Sequence, residues 1–409
     1  LTLHEALNGI PGEVESVDLT TSSGYPFSLN PKERGAKRLV IDGDPGELVL
    51  KPSAQKVYDS WTHLMNNNII PNDPFIATLK VETRPIEKAR IGKTRVFCAG
   101  SLVSFLHNKR QFARFNNFLK RIRSNSFSTV GLNRSSKGWH EMIMRFREVS
   151  EYALDGDQEE WDGRFKSYIG LAACKIICDI MKVSKERRKQ IYVLFCHAIF
   201  PYLRVSWKFD ELVTIILRIL GCMPSGWYLT YIVNSIANAI IMRVCWIALV
   251  TKPFNDLKYF RDGTREKYAG DDNKLSVMEA YLNEFNNITI ANYLDIYGQK
   301  YTPPSKGGNL VPYKRVEDCI FMKTKTGVLY DSFVPLFDMD ANFNTANWIR
   351  KSDDDHAATE SNCNDVLRNL FFYGEATYTY WRDRMLEALP TMNLINFYSL
   401  EDSYLGYGG

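Results

Sequence analysis

Two adjacent carboxylates, Asp271 and Asp272, follow Gly270 in a run where apolar and polar residues alternate on both sides. This pattern predicts a strand, a tight turn and a second strand, with the glycine and both acids at the tip. Carboxylates held side by side are hard oxygen ligands, which suit Mg²⁺ or Mn²⁺. Acids after glycine are also common in solvated turns, so a metal site here needs ligands from a second segment.

A second acidic cluster lies more than a hundred residues earlier. Residues 152–154 predict a short strand that leads into a run containing Asp157 and Asp162. If the two strands are neighbours in one sheet, the carboxylates can share two metal ions about 3.5–4 Å apart, as phosphoryl transfer requires. One metal lowers the pKa of an attacking hydroxyl, and the other neutralises the leaving phosphates. Two unrelated acidic turns remain the alternative.

A long apolar run follows the turn at residues 224–226. Residues 229–250 are nearly long enough to span a bilayer, but Thr230, Asn234 and Asn238 recur at every fourth position. Residues four apart share one face of a helix, so these polar groups form a stripe. Burying unpartnered polar groups costs free energy, which favours a functional role for the stripe. We therefore predict a core helix and no transmembrane segment.

Composition bounds the class of protein. The chain has 409 residues, of which 45% are hydrophobic and 24% are charged, with a formal net charge of +4. These values are typical of a globular protein with two or three domains or subdomains. Residues 80–123 nevertheless hold twelve basic and two acidic residues. Such a block predicts contact with phosphates, and a solvated helical face is the alternative.

The eight cysteines contain no Cys-x2-Cys pair. Their spacing predicts buried thiols in a reducing, cytosolic setting and no structural zinc. The amino terminus lacks a signal-peptide pattern. Because Leu1 is not an initiator methionine, we expect the chain to be cut from a longer one.

Periodicity predicts the elements that must position these residues. An extended ribbon is expected over residues 76–97, and a hairpin over 203–218. A second hairpin is expected over 319–330, with its turn at Thr326 and Gly327. Helices are expected at 53–66, 101–123, 138–148, 166–200 with a break at 182–189, and 277–298.

The motifs, in their order, resemble those of the RNA-dependent RNA polymerases of picorna-like positive-strand viruses, with the insect-infecting iflaviruses and dicistroviruses as candidates. Seven motifs spanning residues 22–323 carry the resemblance. They are Ser23-Gly24-Tyr25-Pro26, Lys80-x-Glu82-x-Arg84 with Lys93-x-Arg95, Asp157-x4-Asp162, Ser225-Gly226-x3-Thr230-x3-Asn234, Gly270-Asp271-Asp272, Thr302-Pro303-x-x-Lys306 and Phe321-Met322-Lys323.

The resemblance implies a role for each motif. Asp157, Asp271 and Asp272 are expected to bind Mg²⁺, for which Mn²⁺ can substitute. Asp162 and Asn234 can hydrogen-bond a ribose 2′-OH, which would select RNA over DNA. The remaining candidates are Lys80, Arg84, Arg95, Ser225 and Thr230 for the nucleoside triphosphate, Lys306 as the general acid for pyrophosphate, Ser23, Gly24, Tyr25 and Pro26 at the template entrance, Gly226 as a hinge against the template, and Lys323 at the primer.

The implied fold is α+β, a right-hand polymerase with fingers, palm and thumb. Its palm would be a small antiparallel sheet backed by helices, and its thumb would be helical. The expected boundaries are fingers at 1–114 and 169–224, palm at 115–168 and 225–328, and thumb at 329–409.

The resemblance also implies partners and a location. The partners are an RNA template and primer, nucleoside triphosphates, a small viral protein primer (VPg) cut from the same polyprotein, and other viral replication proteins. The location is the host cytoplasm, at membrane-associated replication complexes. A reverse transcriptase or DNA polymerase of the same architecture is the first alternative, although Asp162 and Asn234 disfavour it. A non-catalytic RNA-binding protein that uses the basic block is the second.

The sequence departs from the family pattern in three places. A tyrosine commonly precedes Gly-Asp-Asp, but here Ala269 holds that position and Tyr268 lies one residue earlier. A shift of one residue turns a strand side chain to the opposite face, so Tyr268 is not expected to replace that tyrosine. Residues 158–160 make the first acidic motif unusually charged. Family members also usually carry a longer amino-terminal segment.

Overall fold

The computed structural model describes residues 1–82, 86–208, 212–305, 308–349 and 352–397. Two predicted site residues, Arg84 and Lys306, lie outside these ranges. The chain divides into two compact units. The first unit is Leu1–Arg121 with Glu160–Ile240, and the second is Ile122–Glu159 with Ile241–Gly409. The boundaries of a three-part division into fingers, palm and thumb stay a prediction.

Helices and strands alternate irregularly along the described ranges. The helices are α1 Leu3–Asn8, α2 Pro52–Asn66, α3 Ile86–Arg90, α4 Leu102–Arg121, α5 Lys137–Arg147, α6 Trp161–Arg164, α7 Ser167–Ile180, α8 Lys185–Ile199, α9 Thr230–Leu249, α10 Leu257–Gly263, α11 Asn287–Ile296, α12 Met339–Ala346, α13 Asp355–Leu370 and α14 Glu375–Ala388. The strands are β1 Ile41–Asp42, β2 Val49–Leu50, β3 Phe75–Leu79, β4 Val96–Ala99, β5 Tyr152–Glu159, β6 Tyr202–Lys208, β7 Leu212–Arg218, β8 Thr264–Ala269, β9 Asp272–Val277, β10 Lys300–Thr302, β11 Lys314–Arg315, β12 Thr324–Leu329 and β13 Ser332–Phe337.

The first unit contains a four-stranded sheet in the order β4-β3-β6-β7, with β3 and β6 parallel. Helices α2, α4 and α8 form its core, where the rings of Trp61, His107 and His197 pack together. Burial lowers the pKa of both histidines to about 4, so they are neutral core residues at pH 7.

The second unit is built on a sheet in the order β10-β5-β9-β8, with β11 also paired to β5. All of these pairings are antiparallel. Helix α5 supplies Trp139, Ile143 and Phe146 to a core that also includes Val316 and Phe321. The predicted small antiparallel sheet backed by a helix is therefore present in this unit.

Residues 123–129 hydrogen-bond to β8 along the edge that faces away from β9. Lys267 is buried, and its Nζ donates to the carbonyl oxygens of Arg123, at 2.6 Å, and Ser126. The main chain of Tyr268 donates to the Phe127 carbonyl at 2.8 Å, and Thr129 N–H donates back to the Tyr268 carbonyl at 3.1 Å. These bonds hold the strand that leads into the acidic turn.

The carboxyl-terminal part of the second unit begins with the β12–β13 hairpin and continues into α12, α13 and α14. Val366, Leu367 and Leu370 of α13 pack with Tyr378 of α14 and Val334 of β13 in one apolar cluster. Val366, Leu367, Leu370 and Tyr378 are completely buried. These helices agree with the largely helical carboxyl-terminal part expected from the sequence.

Several predicted element boundaries are wrong. The extended ribbon predicted over residues 76–97 contains helix α3, and the helix break predicted at 182–189 ends earlier, because α8 begins at Lys185. Helix α11 begins at Asn287, where Asn286 caps it, and not at residue 277, which still belongs to β9. The turn of the β12–β13 hairpin lies at Tyr330 and Asp331, both with positive φ, and not at Thr326 and Gly327. Strand β5 continues through the acidic cluster to Glu159 instead of ending before it. Pairing of β9 with β8 and of β5 with β10 extends these strands to Val277 and Glu159, and local propensity does not record such pairing.

Helix α9 has the length and hydropathy of a membrane span. It is the one such helix among the described residues, and 67% of its most apolar window is buried within the protein. It starts in the first unit and ends in the second. In the second unit, the Nη1 of Arg243 on this helix donates to Glu266 Oε2 at 3.0 Å. This burial agrees with a core helix.

Candidate active site

The acidic turn joins β8 to β9. Ala269 pairs with Asp272 across the hairpin, so Gly270 and Asp271 form the two-residue turn itself. Gly270 has φ of +74°, a backbone conformation that favours glycine. The predicted hairpin is confirmed, with Asp272 as the first residue of β9.

The second predicted carboxylate lies on the neighbouring strand. In the β5–β9 register Gly156 pairs with Asn273, which places Asp157 of β5 beside the start of β9. A Cβ on Gly156 would lie 2.0 Å from the ring of Tyr301, whose hydroxyl donates to Asn273 Oδ1 at 2.8 Å. Tyr301 thus packs against Gly156 of β5 and hydrogen-bonds to Asn273 of β9, so it contacts both strands.

Asp155 is bound to other residues of the protein and is therefore not a candidate metal ligand. Its carboxylate is buried and accepts hydrogen bonds from Lys314 Nζ, at 2.7 Å, and from the Ile320 main chain, at 2.9 Å. A buried carboxylate paired with lysine is already neutralised. Sequence spacing alone could not have identified Lys314, because it lies 159 positions away.

The three remaining carboxylates interact strongly. Burial, together with the negative charges of Asp157 and Asp271, raises the pKa of Asp272 to about 7. Lys323 and the Met322 N–H act in the opposite direction on the same carboxyl group. In the part of the chain that the structure describes, no three Asp, Glu, His or Cys side chains form a preassembled metal-ligand set. The carboxylates nevertheless fit a divalent cation by their chemistry, because they are hard oxygen donors whose negative charges act on one another.

The raised pKa of Asp272 predicts a pH-dependent stability. Protonated Asp272 stabilises the folded state below its ordinary pKa near 4, and this stabilisation is lost as pH rises through about 7. Between pH 5 and pH 8 the melting temperature of the wild type should therefore fall relative to that of Asp272→Asn. Each kcal/mol lost from the free energy of unfolding should lower the melting temperature by about 2–4 °C. Adding Mg²⁺ should stabilise the wild type more at pH 8 than at pH 6, because protons compete for the carboxylates. Thermal melts of both proteins measure this, and parallel pH curves would contradict it.

In the first unit, the Ser225-Gly226 loop is bound to β4. Cys98 N–H donates to Ser225 Oγ at 3.1 Å, and Gly226 N–H donates to the Cys98 carbonyl at 2.9 Å. Asp162 lies close enough that its charge raises the pKa of the Cys98 and Cys222 thiols, in addition to burial. The structure thus gathers Asp162, Ser225 and Gly226 around Cys98.

The first turns of α9 hold two further candidates. Thr230 Oγ1 donates to the Pro224 carbonyl at 2.6 Å, which ties the Ser-Gly loop to the helix. Asn234 is 7% exposed, and its Oδ1 atom has no hydrogen-bond partner among the described residues. A buried amide oxygen without a partner is costly in a purely structural position.

The basic ribbon presents exposed cations. Lys80 Nζ lies 3.4 Å from Glu82, and Arg95 Nη1 lies 3.5 Å from the same carboxylate. Lys80 N–H also donates to the Arg95 carbonyl at 2.9 Å, so both cations are fixed on paired extended segments. Surface ion pairs of this kind contribute little to stability and can be exchanged for phosphate contacts.

The loop at residues 23–26 is tightly built. Ser23 is buried, and its Oγ lies within 3.3 Å of the carbonyl oxygens of Glu33 and Gly35. Gly24 has φ of +71°, and a Cβ there would lie 2.5 Å from the Gly100 carbonyl oxygen. Tyr25 and Pro26 are joined by a cis peptide bond. The role of residues 23–26 at a template entrance stays a prediction.

Tyr268 and Ala269 face different environments. Tyr268 is completely buried, and its hydroxyl donates to Glu266 Oε2 at 2.6 Å, while Glu266 pairs with Arg243. Ala269 packs against the core that contains Trp139 and Phe146. Tyr268 therefore stabilises the β8–β9 hairpin from the protein interior. The residue directly before Gly270 is Ala269, which has no aromatic side chain.

Carboxylates on adjacent antiparallel strands of a small sheet backed by a helix agree with the right-hand nucleic-acid polymerase fold that the motifs imply. The family described as viral RNA-dependent RNA polymerase matches residues 5–400, and the chain belongs to this family. Its members use divalent metal ions and act on RNA and nucleoside triphosphates. The resemblance drawn from the motifs is confirmed, and the reverse transcriptase alternative loses its support.

Individual relatives agree with this assignment. The chain is 26% identical over 401 residues to the replicase polyprotein of cricket paralysis virus, covering 92% of this chain and 22% of that protein. It is 25% identical over 417 residues to the genome polyprotein of deformed wing virus, covering 96% and 14%. The chain thus spans less than a quarter of these relatives. The Sicinivirus 3Dpol RNA-dependent RNA polymerase has the same fold, with a TM-score of 0.81, 19% identity, and coverage of 100% of this chain and 81% of that one.

Proposed function

We propose that this chain catalyses template-directed RNA synthesis during viral genome replication. It would transfer nucleotidyl groups from nucleoside triphosphates to the 3′-hydroxyl of an RNA primer. The observation that supports this most directly is the convergence of Asp157, Asp271 and Asp272 from two neighbouring strands, where burial and then the charges of Asp157 and Asp271 raise the pKa of Asp272 to about 7.

The carboxylates would hold Mg²⁺, for which Mn²⁺ can substitute. When bound, a pair of such ions activates the attacking hydroxyl and neutralises the leaving phosphates. The protein's own part is to hold the carboxylates in place. Gly270 shapes the turn, and Tyr301 packs against Gly156 of β5 and hydrogen-bonds to Asn273 of β9. The Asp155–Lys314 pair keeps a further negative charge neutral.

Substrate selection would fall to residues of the first unit. Asp162 and Asn234 would recognise the ribose 2′-OH, and the partnerless Oδ1 of Asn234 is suited to accept that hydrogen bond. Lys80, Arg84 and Arg95 would bind the triphosphate, together with Ser225 and Thr230. Arg84 lies outside the described residues.

The remaining candidates concern product release and the nucleic acid. Lys306, also outside the described residues, would protonate the departing pyrophosphate. Ser23, Gly24, Tyr25 and Pro26 would guide the template, while Gly226 and Lys323 would contact template and primer. Priming by a small viral protein, association with other viral replication proteins and location at host membrane-associated replication complexes are further parts of the proposal.

Primer extension on a primed RNA template tests the proposed function. With Mg²⁺ or Mn²⁺, ribonucleotides should be incorporated at least about a hundredfold more efficiently than deoxyribonucleotides, because the site loses a hydrogen bond with a deoxyribose. Asn234→Ala should lower the ratio of ribonucleotide to deoxyribonucleotide incorporation. Asn283→Ala, on the loop after β9, is the control and should leave this ratio unchanged. A preference for deoxyribonucleotides would favour a DNA polymerase. Salt-sensitive RNA binding without incorporation would favour the non-catalytic RNA-binding protein.

A further inference from the structure

The residues Met322 and Lys323 form a two-residue turn with an unusual backbone. Their φ values are +53° and +57°, in the left-handed region that non-glycine residues rarely adopt. Phe321 and Thr324 close the turn with two main-chain hydrogen bonds, each 3.0 Å long. Such a conformation persists only where surrounding contacts hold it.

Arg134 supplies contacts of this kind from the loop before α5. Its Nη1 donates to the Met322 carbonyl at 2.8 Å and lies 3.2 Å from Thr324 Oγ1. Thr324 Oγ1 donates to the same Met322 carbonyl at 3.1 Å. The guanidinium carbon lies 5.1 Å from the ring centroid of Phe337, which pairs with Thr324 across the hairpin. Arg134 is thus oriented by an aromatic ring and hydrogen-bonded to the turn.

The other side of the same turn faces the candidate active site. The Met322 N–H donates to the carboxylate of Asp272, and the charge of Lys323 is close enough to favour the ionised form of that group. Met322 is therefore held through its carbonyl by Arg134 while its N–H contacts Asp272. Arg134 lies 188 positions before Met322 and belongs to none of the seven motifs.

We propose that Arg134 is a positioning residue that holds the Met322–Lys323 turn in the conformation that directs the Met322 N–H at Asp272. The catalytic part of this inference rests on the proposed function, whereas the structural part does not. Without the guanidinium, the Met322 carbonyl loses a charge-assisted hydrogen bond, and the left-handed turn loses its support. Asp272 and Lys323 would then lose their fixed relation to one another.

Steady-state kinetics on a primed RNA template test the catalytic part. Arg134→Met should lower kcat about tenfold, as expected for loss of one charge-assisted hydrogen bond. The KM for nucleoside triphosphate should change less than about twofold, because the contacts proposed for the turn are with Asp272 and the primer and not with the nucleoside triphosphate. Arg134→Lys, which retains a cationic donor, should recover most of the activity. Thr324→Val, which removes the hydroxyl but keeps the shape, should lower kcat in the same direction.

Arg147→Met is the matched control. Arg147 also lies over an aromatic ring of the same hairpin, with its guanidinium carbon 5.5 Å from the centroid of Phe333. Its ion pairs are with Glu151 and Glu317, away from the turn. Its kcat should stay within about twofold of wild type, since a half-exposed surface arginine contributes little. Equal losses of kcat in Arg134→Met and Arg147→Met would overturn the proposal.

Hydrogen–deuterium exchange tests the structural part on the same proteins without requiring activity. Amides of residues 321–324 should exchange about tenfold faster in Arg134→Met than in wild type. In Arg147→Met their exchange rates should equal those of the wild type. Unchanged exchange at these amides, or a wild-type kcat in Arg134→Met, would refute the positioning role. If the wild-type chain incorporates no nucleotide, the proposed function fails, and the exchange result alone decides the role of Arg134.

Discussion

Replacing Asp271 with alanine should lower nucleotide incorporation at least about a thousandfold. Asp271 lies at the turn between β8 and β9, and its charge already acts on Asp272. Removing it takes away a carboxylate that would neutralise and orient a divalent cation, while the hairpin pairing is unaffected. Single-nucleotide incorporation on a primed RNA template, with Mg²⁺ and then with Mn²⁺, measures the effect.

Asp262→Asn controls for the loss of a negative charge. Asp262 is an exposed aspartate of α10 in the same unit, and it pairs with its neighbour Arg261 at 3.0 Å. Because such a pair contributes little, we expect wild-type incorporation and stability. Extension by Asp271→Ala at the wild-type rate would exclude that residue from the metal site and remove the main support for the mechanism.

Replacing Gly226 with alanine should lower incorporation about a hundredfold, the loss expected when a substrate-binding group moves by about 1 Å. The added Cβ would lie 2.3 Å from the Cys98 carbonyl oxygen and 3.1 Å from the Ala99 Cα. Both are main-chain atoms, so the loop must move away from β4. That movement breaks the 2.9 Å hydrogen bond from Gly226 N–H and displaces Ser225, which binds the Cys98 N–H.

Gly163→Ala is the matched control for this substitution. Gly163 lies in α6 of the same unit, and a Cβ there would meet no atom within 4 Å. A helical glycine replaced by alanine should leave stability unchanged or raise it by about 1 kcal/mol. Incorporation rates and urea unfolding of both variants separate the local clash from general destabilisation. Wild-type incorporation by Gly226→Ala would mean that the loop tolerates displacement and that its contact with β4 is not functional.

Local patterns predicted the amphipathic helices well. In α4 the apolar positions Leu102, Leu106, Phe112, Phe115 and Leu119 are all buried, as their spacing indicates. The turn at Gly270 was equally predictable, because a glycine between alternating strands identifies a tight hairpin. Placement of β5 beside β9 followed from the chemistry of two acidic clusters, and the register confirms it.

What the sequence could not reveal depends on distant partners. Asp155 and Asp157 look equivalent in the sequence, yet only Asp155 meets Lys314 and the Ile320 N–H. Buried Lys274 donates to the Val316 carbonyl at 2.7 Å, a contact that no local pattern records. Arg134 is another case, since its two acceptors lie in a turn formed by residues 322–324. Such choices are made by tertiary contacts, to which spacing along the chain is insensitive.

Each of the two units is built from two separate segments of the chain. This division affects how the protein folds during its synthesis. Synthesis proceeds from the amino terminus, but the first unit needs residues up to Ile240 before all its parts exist. Strand β5 ends at Glu159 and must wait for its partner β9, which begins only at Asp272. Contacts that close such long loops form slowly, and the unpaired strand edge is exposed meanwhile. The nascent chain therefore exposes an unpaired strand edge for longer than a protein whose domains follow one another in sequence.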